Sequence, residues 1–546
     1  MTQKQSVPGS VAHANGSEGG SAPQNPLIAA RVNVGSLVLR HAVARRDANA
    51  LREYPSGRDR TFGELADRVV ALGAGLERRH GIGYGGSIAV LSRNRIEYME
   101  TYLACALRGI TVQALNWRLS VPELTDILRA SPPAAVLFDP EFGAEIAGLQ
   151  ANVDCETWIG WDADGGSSPF EDLVAAGATG GDGELGHAGG ADPFIVVYTG
   201  GSSGISKGAV HTHATAIGAM ANNTVGEGVT ADDKFMLMGQ MFHSPVVLAI
   251  NYLTHGCPVV IVNFKPELVL GAIEDERVTA SMGIPTMFQN MLAAMSGGGW
   301  NVDSLRHVQY GGSPTAESVT RELIEALGCD LLQCYGRTEE LAITFLSPRD
   351  HLDAINGVNT HRLQSCGRPA WLSRVELLDA DDRVIPRGSD EPGEVIAKSP
   401  ATMIGYLGRP DLTAEATYGD GWLRTGDVGR FDEDGYLYIV GRAKDMIISG
   451  GENIYAAQVE LAIQRHPAVL ESAVIGVPDE LWGESVKAYV ALKPGASADA
   501  AEIASTVAEH LGSYQKPKLV EFLDELPKTS AGKIAKPELK RQAAES

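Results

Sequence analysis

A short loop rich in glycine and hydroxyl side chains carries one lysine and follows an apolar run at residues 194–198. Glycine lets a backbone approach a ligand closely, and backbone N–H groups, hydroxyls and an ammonium donate hydrogen bonds to phosphate oxygens. The loop is not a Walker loop, because its lysine precedes a glycine instead of following one. We therefore expect it to bind phosphate through Thr199, Gly200, Gly201, Ser202, Ser203, Gly204 and Lys207.

The same glycines and serines allow a second interpretation. Residues 200–204 match the G-x-S-x-G nucleophile elbow of α/β-hydrolases, with Ser202 as the nucleophile. An elbow turns directly from a strand into a helix, whereas residues 205–208 prolong this loop and add a cation that a serine nucleophile does not require. A serine hydrolase and a purely structural glycine turn are therefore kept as alternatives to the phosphate loop.

Four more strings of polar and glycine residues follow the loop along the chain. They are Tyr335-Gly336-Arg337-Thr338-Glu339, Trp422-Leu423-Arg424-Thr425-Gly426-Asp427, Gly441-Arg442-Ala443-Lys444-Asp445 and Pro527-Lys528-Thr529-Ser530-Ala531-Gly532-Lys533-Ile534. Each string alone is typical of an ordinary turn. The order of all five along most of the chain is the informative feature.

Together the five strings resemble the acyl-adenylate-forming superfamily, which contains acyl- and aryl-CoA ligases, free-standing adenylation domains and beetle luciferases. The resemblance implies an enzyme that uses ATP, Mg²⁺ and coenzyme A on a small-molecule carboxylic acid. In the first step acid and ATP give acyl-AMP and pyrophosphate, and in the second the CoA thiol gives acyl-CoA and AMP. Two alternatives remain, an adenylating enzyme that loads a separate carrier protein and a nucleotide-binding sensor without turnover.

The resemblance also assigns roles in adenylate formation. Glu339 would be the magnesium ligand, a role that suits a hard carboxylate oxygen. Lys533 would neutralise charge at the α-phosphate during displacement of pyrophosphate. Asp427 would bind the ribose diol, supported by Arg442. The remaining residues assigned to this step are Thr338 at the phosphates, Tyr335 and Gly336 at the adenine, Gly311, Gly312 and Ser313 in a second adenine-contacting turn, and His243 as a catalytic residue beside the acid.

For the second step the resemblance makes Lys444 the hinge about which a small domain rotates. Gly450 and Gly451 would line the pantetheine tunnel, and Trp482, Lys516 and Lys518 would lie around the CoA nucleotide. The acid pocket would be formed by His243, Val247, Tyr310, Arg337 and Ala342, a mixed apolar surface that would accept an aromatic ring or a modest alkyl chain. The resemblance to aryl-CoA ligases around Gly450 favours an aromatic acid over a medium-chain fatty acid. Arg337 would meet a polar group of the acid, and a salt bridge or a solvent-exposed position is its alternative.

Composition limits the partners. A formal net charge of −23 argues against duplex nucleic acid and anionic membranes, which require a basic surface. No apolar run is long enough to span a bilayer. The six cysteines include no Cys-x-x-Cys pair, which is typical of a protein in a reducing cytoplasm. A homodimer is also considered.

Alternating apolar runs and amphipathic segments define the fold expectation. Strands at residues 88–91, 110–115 and 134–138 alternate with a helix at 96–107, which predicts α/β architecture. We expect a disordered tail over residues 1–26, a large N-terminal domain of parallel or mixed sheets covered by helices over 27–442, and a hinge at 443–445. Residues 446–546 are predicted to form a small mobile α+β C-terminal domain.

Overall fold

The computed structural model describes residues 32–162, 167–179, 188–199, 206–313, 315–528 and 534–545. Its strands are β1 (Asn49–Tyr54), β2 (Asp59–Thr61), β3 (Ser87–Leu91), β4 (Thr111–Ala114), β5 (Ala135–Phe138), β6 (Trp158–Gly160), β7 (Pro193–Thr199), β8 (Lys207–Thr212), β9 (Phe235–Leu237), β10 (Val259–Val262), β11 (Ala280–Gly283), β12 (His307–Gly311), β13 (Asp330–Arg337), β14 (Glu340–Leu346), β15 (Arg368–Pro369), β16 (Arg374–Leu378), β17 (Gly393–Lys398), β18 (Gly405–Tyr406), β19 (Thr417–Tyr418), β20 (Trp422–Phe431), β21 (Leu437–Arg442), β22 (Met446–Ser449), β23 (Glu452–Tyr455), β24 (Val469–Asp479), β25 (Gly483–Leu492) and β26 (Leu519–Phe522).

The α-helices are α1 (Val34–Leu39), α2 (His41–Ala44), α3 (Phe62–His80), α4 (Ile96–Arg108), α5 (Val121–Ala130), α6 (Gly143–Gln150), α7 (Pro169–Ala178), α8 (His213–Glu227), α9 (Pro245–Thr254), α10 (Pro266–Glu276), α11 (Pro285–Met295), α12 (Glu317–Leu327), α13 (Pro348–Ile355), α14 (Pro410–Glu415), α15 (Ala456–Ile463), α16 (Ala500–His510) and α17 (Lys536–Glu545). None of these described helices is both long and apolar enough to cross a membrane.

The first sheet has nine strands in the order β15-β14-β13-β12-β11-β9-β10-β1-β2. Its centre is parallel, whereas β2, β14 and β15 pair antiparallel at the two edges. One face packs against α10, α11 and α12 through a core that includes Met236, Val269, Phe288 and Leu323. The sheet is therefore mixed, as the sequence predicts.

The second sheet has the order β18-β8-β7-β4-β3-β5-β6. Strands β3 to β7 are parallel, and β7 returns through an antiparallel hairpin to β8. Helix α4 is buried along its whole length, because it lies inside the large domain. The predicted strands and helix of this region are confirmed, with bounds that differ by one residue at most.

The last part of the chain forms two smaller sheets. The third contains β16, β17, β19, β20 and β21, and the fourth contains β22 to β26. A single 3-10 turn, Ala443–Asp445, leads from the third sheet into the fourth. The fourth sheet has an apolar core of its own with α15 and α16, which includes Ile447, Val459, Val486 and Ile503. The fold is thus α/β, with a large region of sheets and helices followed by a smaller α+β region.

Candidate active site

The predicted phosphate loop connects the two strands of an antiparallel hairpin. Thr199 ends β7, Lys207 begins β8, and the two residues face each other in register. The Lys207 ammonium lies 5.3 Å from the ring centroid of Tyr406. Of the predicted set, Gly200, Gly201, Ser202, Ser203 and Gly204 lie outside the described residues. The hairpin therefore places one cation of the candidate site and an aromatic ring beside it.

The string that begins at Tyr335 lies at the end of a strand. Its first three residues, Tyr335 to Arg337, are the last three of β13, which pairs with β14. Thr338 and Glu339 form the turn between the two strands. A Cβ at Gly336 would lie 2.7 Å from the carbonyl oxygen of Leu341, so the close hairpin requires glycine there.

Glu339 is buried and has two polar partners. Its Oε1 accepts a 2.5 Å hydrogen bond from the Tyr406 hydroxyl, and its Oε2 lies 3.4 Å from Nε of Arg337. Burial raises the pKa of the Glu339 carboxyl, but the Arg337 charge and the Tyr406 hydrogen bond outweigh it and leave the pKa below its ordinary value. The carboxylate is therefore charged at neutral pH.

A carboxylate of this kind fits the magnesium role. Mg²⁺ in nucleotide sites uses one or two carboxylates and completes its shell with phosphate oxygens and water. Among the described residues, no group of three or more His, Cys, Asp or Glu side chains is arranged to hold a metal. Glu339 could supply one carboxylate ligand to such an ion.

Asp427 is the centre of a second polar group. Its Oδ2 accepts a 2.7 Å hydrogen bond from the Tyr335 hydroxyl, and its Oδ1 lies 3.1 Å from Nε of Arg442. Asp427 and Arg442 are register partners on β20 and β21. The structure thus brings together the predicted adenine, ribose and ribose-supporting residues, which are far apart in sequence.

Arg337 connects these two groups. Its Nη1 lies 3.7 Å from Oδ2 of Asp427, and the same nitrogen donates to the carbonyl of Thr425. Since its Nε faces Glu339, the guanidinium occupies the salt-bridge position that was the alternative to contact with the acid. Arg337 is therefore part of the nucleotide side of the candidate site.

The turn after β12 lies beside the same residues. Gly311 is the register partner of Cys334, which precedes Tyr335, and a Cβ at Gly311 would lie 2.2 Å from the Cys334 carbonyl oxygen. Gly312 has φ +83°, and Ser313 is exposed. The three residues of the predicted second adenine turn are thus adjacent to Tyr335 at the carboxyl end of the parallel strands.

Two residues near Thr338 and Glu339 were not found by sequence reasoning. His211 is fully buried on β8 and donates from Nε2 to the Thr338 carbonyl oxygen over 2.7 Å. Burial lowers the pKa of His211, which keeps the ring neutral in this contact. Tyr406 is the second missed residue, since only the pairing of β18 with β8 brings it to Glu339. No charge pattern or spacing marks either residue.

The residues predicted for the thiol step form a cluster on the fourth sheet. Gly450 has φ +63°, and a Cβ there would lie 2.6 Å from the Trp482 ring. The Gly450 N–H donates to the Trp482 carbonyl oxygen over 2.8 Å, and the Lys518 ammonium lies 5.1 Å from the centroid of the Trp482 ring. Gly451, the next residue along the chain, is exposed, and so is Lys516, two residues before Lys518.

The hinge candidate Lys444 lies in the 3-10 turn between the third and fourth sheets. Partial desolvation and the charge of Arg442 lower its pKa, and the charges of Arg337 and Lys207 act in the same direction. Lys444 is therefore within electrostatic reach of the nucleotide side. Lys533 lies outside the described residues.

The acid-pocket residues do not form one group. Val247 packs in the core that contains α9, whereas Tyr310 packs in the separate core beneath α10, α11 and α12. The Tyr310 hydroxyl bonds Nε2 of His351 at 2.8 Å. Grouping Tyr310 with Val247 is therefore wrong, because alternation along β12 points Tyr310 to the opposite face.

The two other pocket candidates are associated with helices α8 and α9. His243 lies two residues before α9, with its ring 4.6 Å from that of Phe242. Ala342 is buried on β14, and its carbonyl oxygen accepts from Asn222 of α8. These residues border the face of the first sheet that α8 and α9 cover.

Comparison with known proteins agrees with this architecture. Residues 38–407 match the family model for the AMP-binding enzyme, and residues 458–533 match the model for the AMP-binding enzyme C-terminal domain. The chain belongs to the AMP-binding enzyme family.

Similar proteins extend over nearly the whole chain. Feruloyl-CoA synthase of an Amycolatopsis species is 35% identical over 512 residues, which are 93% of this chain and 99% of the relative. Indoleacetate–CoA ligase of Aromatoleum aromaticum is 33% identical over 520 residues, covering 92% of this chain and 97% of the relative. Among solved structures, the amide bond synthetase McbA from Marinactinospora thermotolerans has a TM-score of 0.84 at 31% identity, with coverage of 93% and 99%.

Proposed function

We propose that the chain is an AMP-forming acid–thiol ligase that converts a carboxylic acid to its CoA thioester through acyl-AMP. The observation that carries the proposal is the connected network in which Arg337 joins Glu339 to Asp427 beside Lys207. One end of that network suits a magnesium-bound triphosphate and the other suits a ribose diol. An ATP molecule can satisfy both ends at once.

The chemistry of the acid explains why a nucleotide is needed. A carboxylate is a poor acyl donor because its leaving group would be oxide, and adenylation replaces oxide by a stabilised phosphate anion. Magnesium bound at Glu339 would neutralise charge on the phosphates. Lys207 and Lys533 are proposed to hold the phosphates during attack by the acid carboxylate, and Asp427 to fix the ribose. His243 is proposed to orient the acid.

The thiol step is assigned to the fourth sheet. Residues 446–546 are proposed to turn about a hinge at 443–445 relative to residues 27–442, so that Gly450 and Gly451 face the acyl-AMP. The thin pantetheine arm suits a passage lined by glycine. Trp482 and Lys518, with Lys516 close by, offer an aromatic surface and cations to the CoA nucleotide.

An aromatic acid is proposed as the substrate, in preference to a medium-chain fatty acid. The support is that feruloyl and indoleacetyl groups, which are named for two relatives, are both aromatic. The six cysteines are all free, which supports action in a reducing compartment such as the cytoplasm. The acceptor is proposed to be free CoA, with a carrier-protein thiol as the alternative.

The first experiment measures acid-dependent exchange of labelled pyrophosphate into ATP with a panel of aromatic and aliphatic acids. Acids that support exchange are then incubated with CoA, with a phosphopantetheinylated carrier protein, or with an amine, and each product is identified by mass. We expect exchange with at least one acid, and AMP release that depends on CoA. Absence of exchange with every acid would refute the ligase, and product formation only with the carrier or the amine would refute the CoA assignment.

A further inference from the structure

Helix α9 runs antiparallel to the central strands of the first sheet. Near its carboxyl end the Tyr252 ring stacks on Phe235, the first residue of β9, with 4.5 Å between centroids. Phe235 is in register with Ala280, which is in register with His307, the first residue of β12. The carboxyl end of α9 therefore lies at the amino ends of the strands, and its amino end lies toward Gly311.

Helix α8 has the same direction. His211, just before the helix, bonds the carbonyl oxygen of Thr338, and Glu227 at the far end lies 3.5 Å from Nε2 of His307. The layer between the two helices and the sheet therefore has one end at the candidate active site. Its other end, at Glu227 and His307, is about 13 Å deeper, since His307 is four strand residues below Gly311.

This deep end is polar, and we call its residues the floor cluster. The members are Glu227, Asn251, Tyr252, His307 and Gln309, which are between 0% and 5% exposed. Within this cluster, both carboxylate oxygens of Glu227, Nδ2 of Asn251, the Tyr252 hydroxyl, both ring nitrogens of His307 and Oε1 of Gln309 make no hydrogen bond of ordinary geometry. Nε2 of His307 lies 3.5 Å from Oε1 of Glu227.

The floor cluster is connected by contacts rather than scattered. Thr224, one helical turn before Glu227, donates from its hydroxyl to Oδ1 of Asn251 over 3.1 Å, which leaves the amide nitrogen of Asn251 unpaired. Burial raises the pKa of Tyr252, and the charge of Glu227 and a polar contact between the two side chains raise it further, so Tyr252 and Glu227 are neighbours. Gln309 shares a strand face with His307 because side chains alternate along β12.

Buried polar atoms without partners cost about 1–3 kcal/mol each, so a cluster of them indicates that something polar completes it. The cluster lies in line with the proposed acid site. Asn251 is one turn below Val247 on α9, and Gln309 is about 7 Å below Gly311 on β12. An acid whose carboxylate lies near Thr338 would bring its opposite end to these residues.

We infer that the acid carries a hydroxyl group at the end remote from its carboxylate, and that the floor cluster binds that hydroxyl. This inference rests on the proposed ligase function. A hydroxyl can donate to Glu227 or Gln309 and accept from Asn251, so it uses both kinds of unpaired atom. A second carboxylate would be repelled by Glu227, and an alkyl or phenyl end would leave the polar atoms unpaired.

The test compares matched acids that differ by one hydroxyl. The pairs are 4-hydroxyphenylpropanoate with phenylpropanoate, and ω-hydroxyoctanoate with octanoate. Sites built to bind a substrate hydroxyl can favour the hydroxylated substrate over its deoxy analogue by about 10⁴-fold in kcat/KM. We expect kcat/KM for pyrophosphate release to favour the hydroxy acid by at least about 100-fold in one pair. Values within about threefold in both pairs, or a preference for the deoxy acids, would overturn the inference and leave a floor that holds only water.

Variants locate the preference. The double variant Asn251→Leu with Gln309→Leu should retain release with the deoxy acid and reduce the hydroxy preference to within about threefold. Gln113→Leu is the control, since Gln113 is a buried amide in the second sheet that bonds Ser87, Ser131 and Tyr198. A preference that survives the double variant would overturn the assignment to this cluster, and the wild-type comparison decides even if a variant fails to fold. Absence of release with all four acids would defeat the ligase proposal and the inference together, whereas release without discrimination defeats the inference alone.

Discussion

Tyr406 donates its hydroxyl hydrogen to Oε1 of Glu339 over 2.5 Å. The two residues meet because the two-residue strand β18 pairs with β8 and carries Tyr406 over the turn that holds Glu339. The bond leaves the other carboxylate oxygen facing Arg337. Tyr406 is therefore expected to orient the side chain that we assign to magnesium.

Replacing Tyr406 with phenylalanine should weaken the use of magnesium. Hydrogen bonds to charged groups contribute about 1.5–3 kcal/mol, so the magnesium concentration that half-saturates acid-dependent pyrophosphate exchange should rise about 10-fold. Tyr418→Phe is the control, because Tyr418 is on the third sheet and its hydroxyl bonds only the Asp382 carbonyl oxygen among its described contacts. Equal magnesium dependence in the two variants would show that Tyr406 does not position Glu339.

Arg337→Met should impair nucleotide binding and spare the acid. The variant loses the cation that faces both Glu339 and Asp427, so KM for ATP and the dissociation constant of a non-hydrolysable ATP analogue should each rise 10-fold or more. Arg337→Lys should restore part of the loss, since it keeps the charge but not the planar fork. KM for the acid should change less than about twofold.

The matched control for this arginine is Arg362→Met. Arg362 pairs with Asp434 at 2.6 Å and is similarly buried, away from the candidate site. It should lower the thermal midpoint without changing KM for ATP. If Arg337→Met raised KM for the acid and left nucleotide binding intact, Arg337 would belong to the acid pocket after all.

Much of the fold follows from local patterns in the sequence. The apolar runs before Arg93 and before the glycine loop predict strands β3 and β7. Gly109, which has a left-handed backbone conformation, ends helix α4. The extended backbone of residues 335–337 depends on pairing with β14, a partner that local composition does not reveal. Residue propensities do not determine which distant strands pair with each other.

The candidate site likewise contains residues that sequence motifs reveal and residues that they do not. The strings that carry charge and glycine identified Glu339, Asp427 and Arg442, and the structure brings their side chains together with Tyr335. His211 and Tyr406 were missed, since an isolated histidine and tyrosine carry no spacing signal. The face on which Tyr310 lies was also missed, because strand phase is set by the packing of both sheet faces and not by one apolar residue.

Glu340 predicts a pH dependence of stability. This residue is fully buried beside Glu339, with Oε2 accepting from Thr402 over 2.8 Å. Burial raises the pKa of Glu340 to about 7, against hydrogen bonds from Ser399 and Thr402 that lower it. The folded state therefore binds the proton more tightly than the unfolded state. The resulting stability is complete below the unfolded pKa of about 4.5 and is lost as the pH rises through about 7.

Glu340→Gln removes this titration. The difference between the folded and unfolded pKa values corresponds to about 3 kcal/mol. As the pH rises from 5 to 8, the free energy of unfolding of the wild type should therefore fall by about that amount relative to that of the variant. Denaturant unfolding at several pH values measures the shift. A constant difference between variant and wild type across this range would mean that Glu340 does not titrate in the fold.

Gly450→Ala should separate the two half-reactions. The variant places a methyl group 2.6 Å from the Trp482 ring at a φ of +63°, so the ring must move from the surface assigned to CoA. Gly495→Ala is a close control, because Gly495 has φ +77° with no atom within 4 Å of the added Cβ, and it introduces similar backbone strain without the clash. Pyrophosphate exchange should stay within about twofold in both variants. The value of kcat/KM for CoA in thioester formation should fall about 10-fold or more in Gly450→Ala alone, which corresponds to about 1.4 kcal/mol of lost binding. An equal loss of exchange and thioester formation in Gly450→Ala would place Gly450 outside the thiol step, since only a residue used after acyl-AMP has formed can spare the first half-reaction.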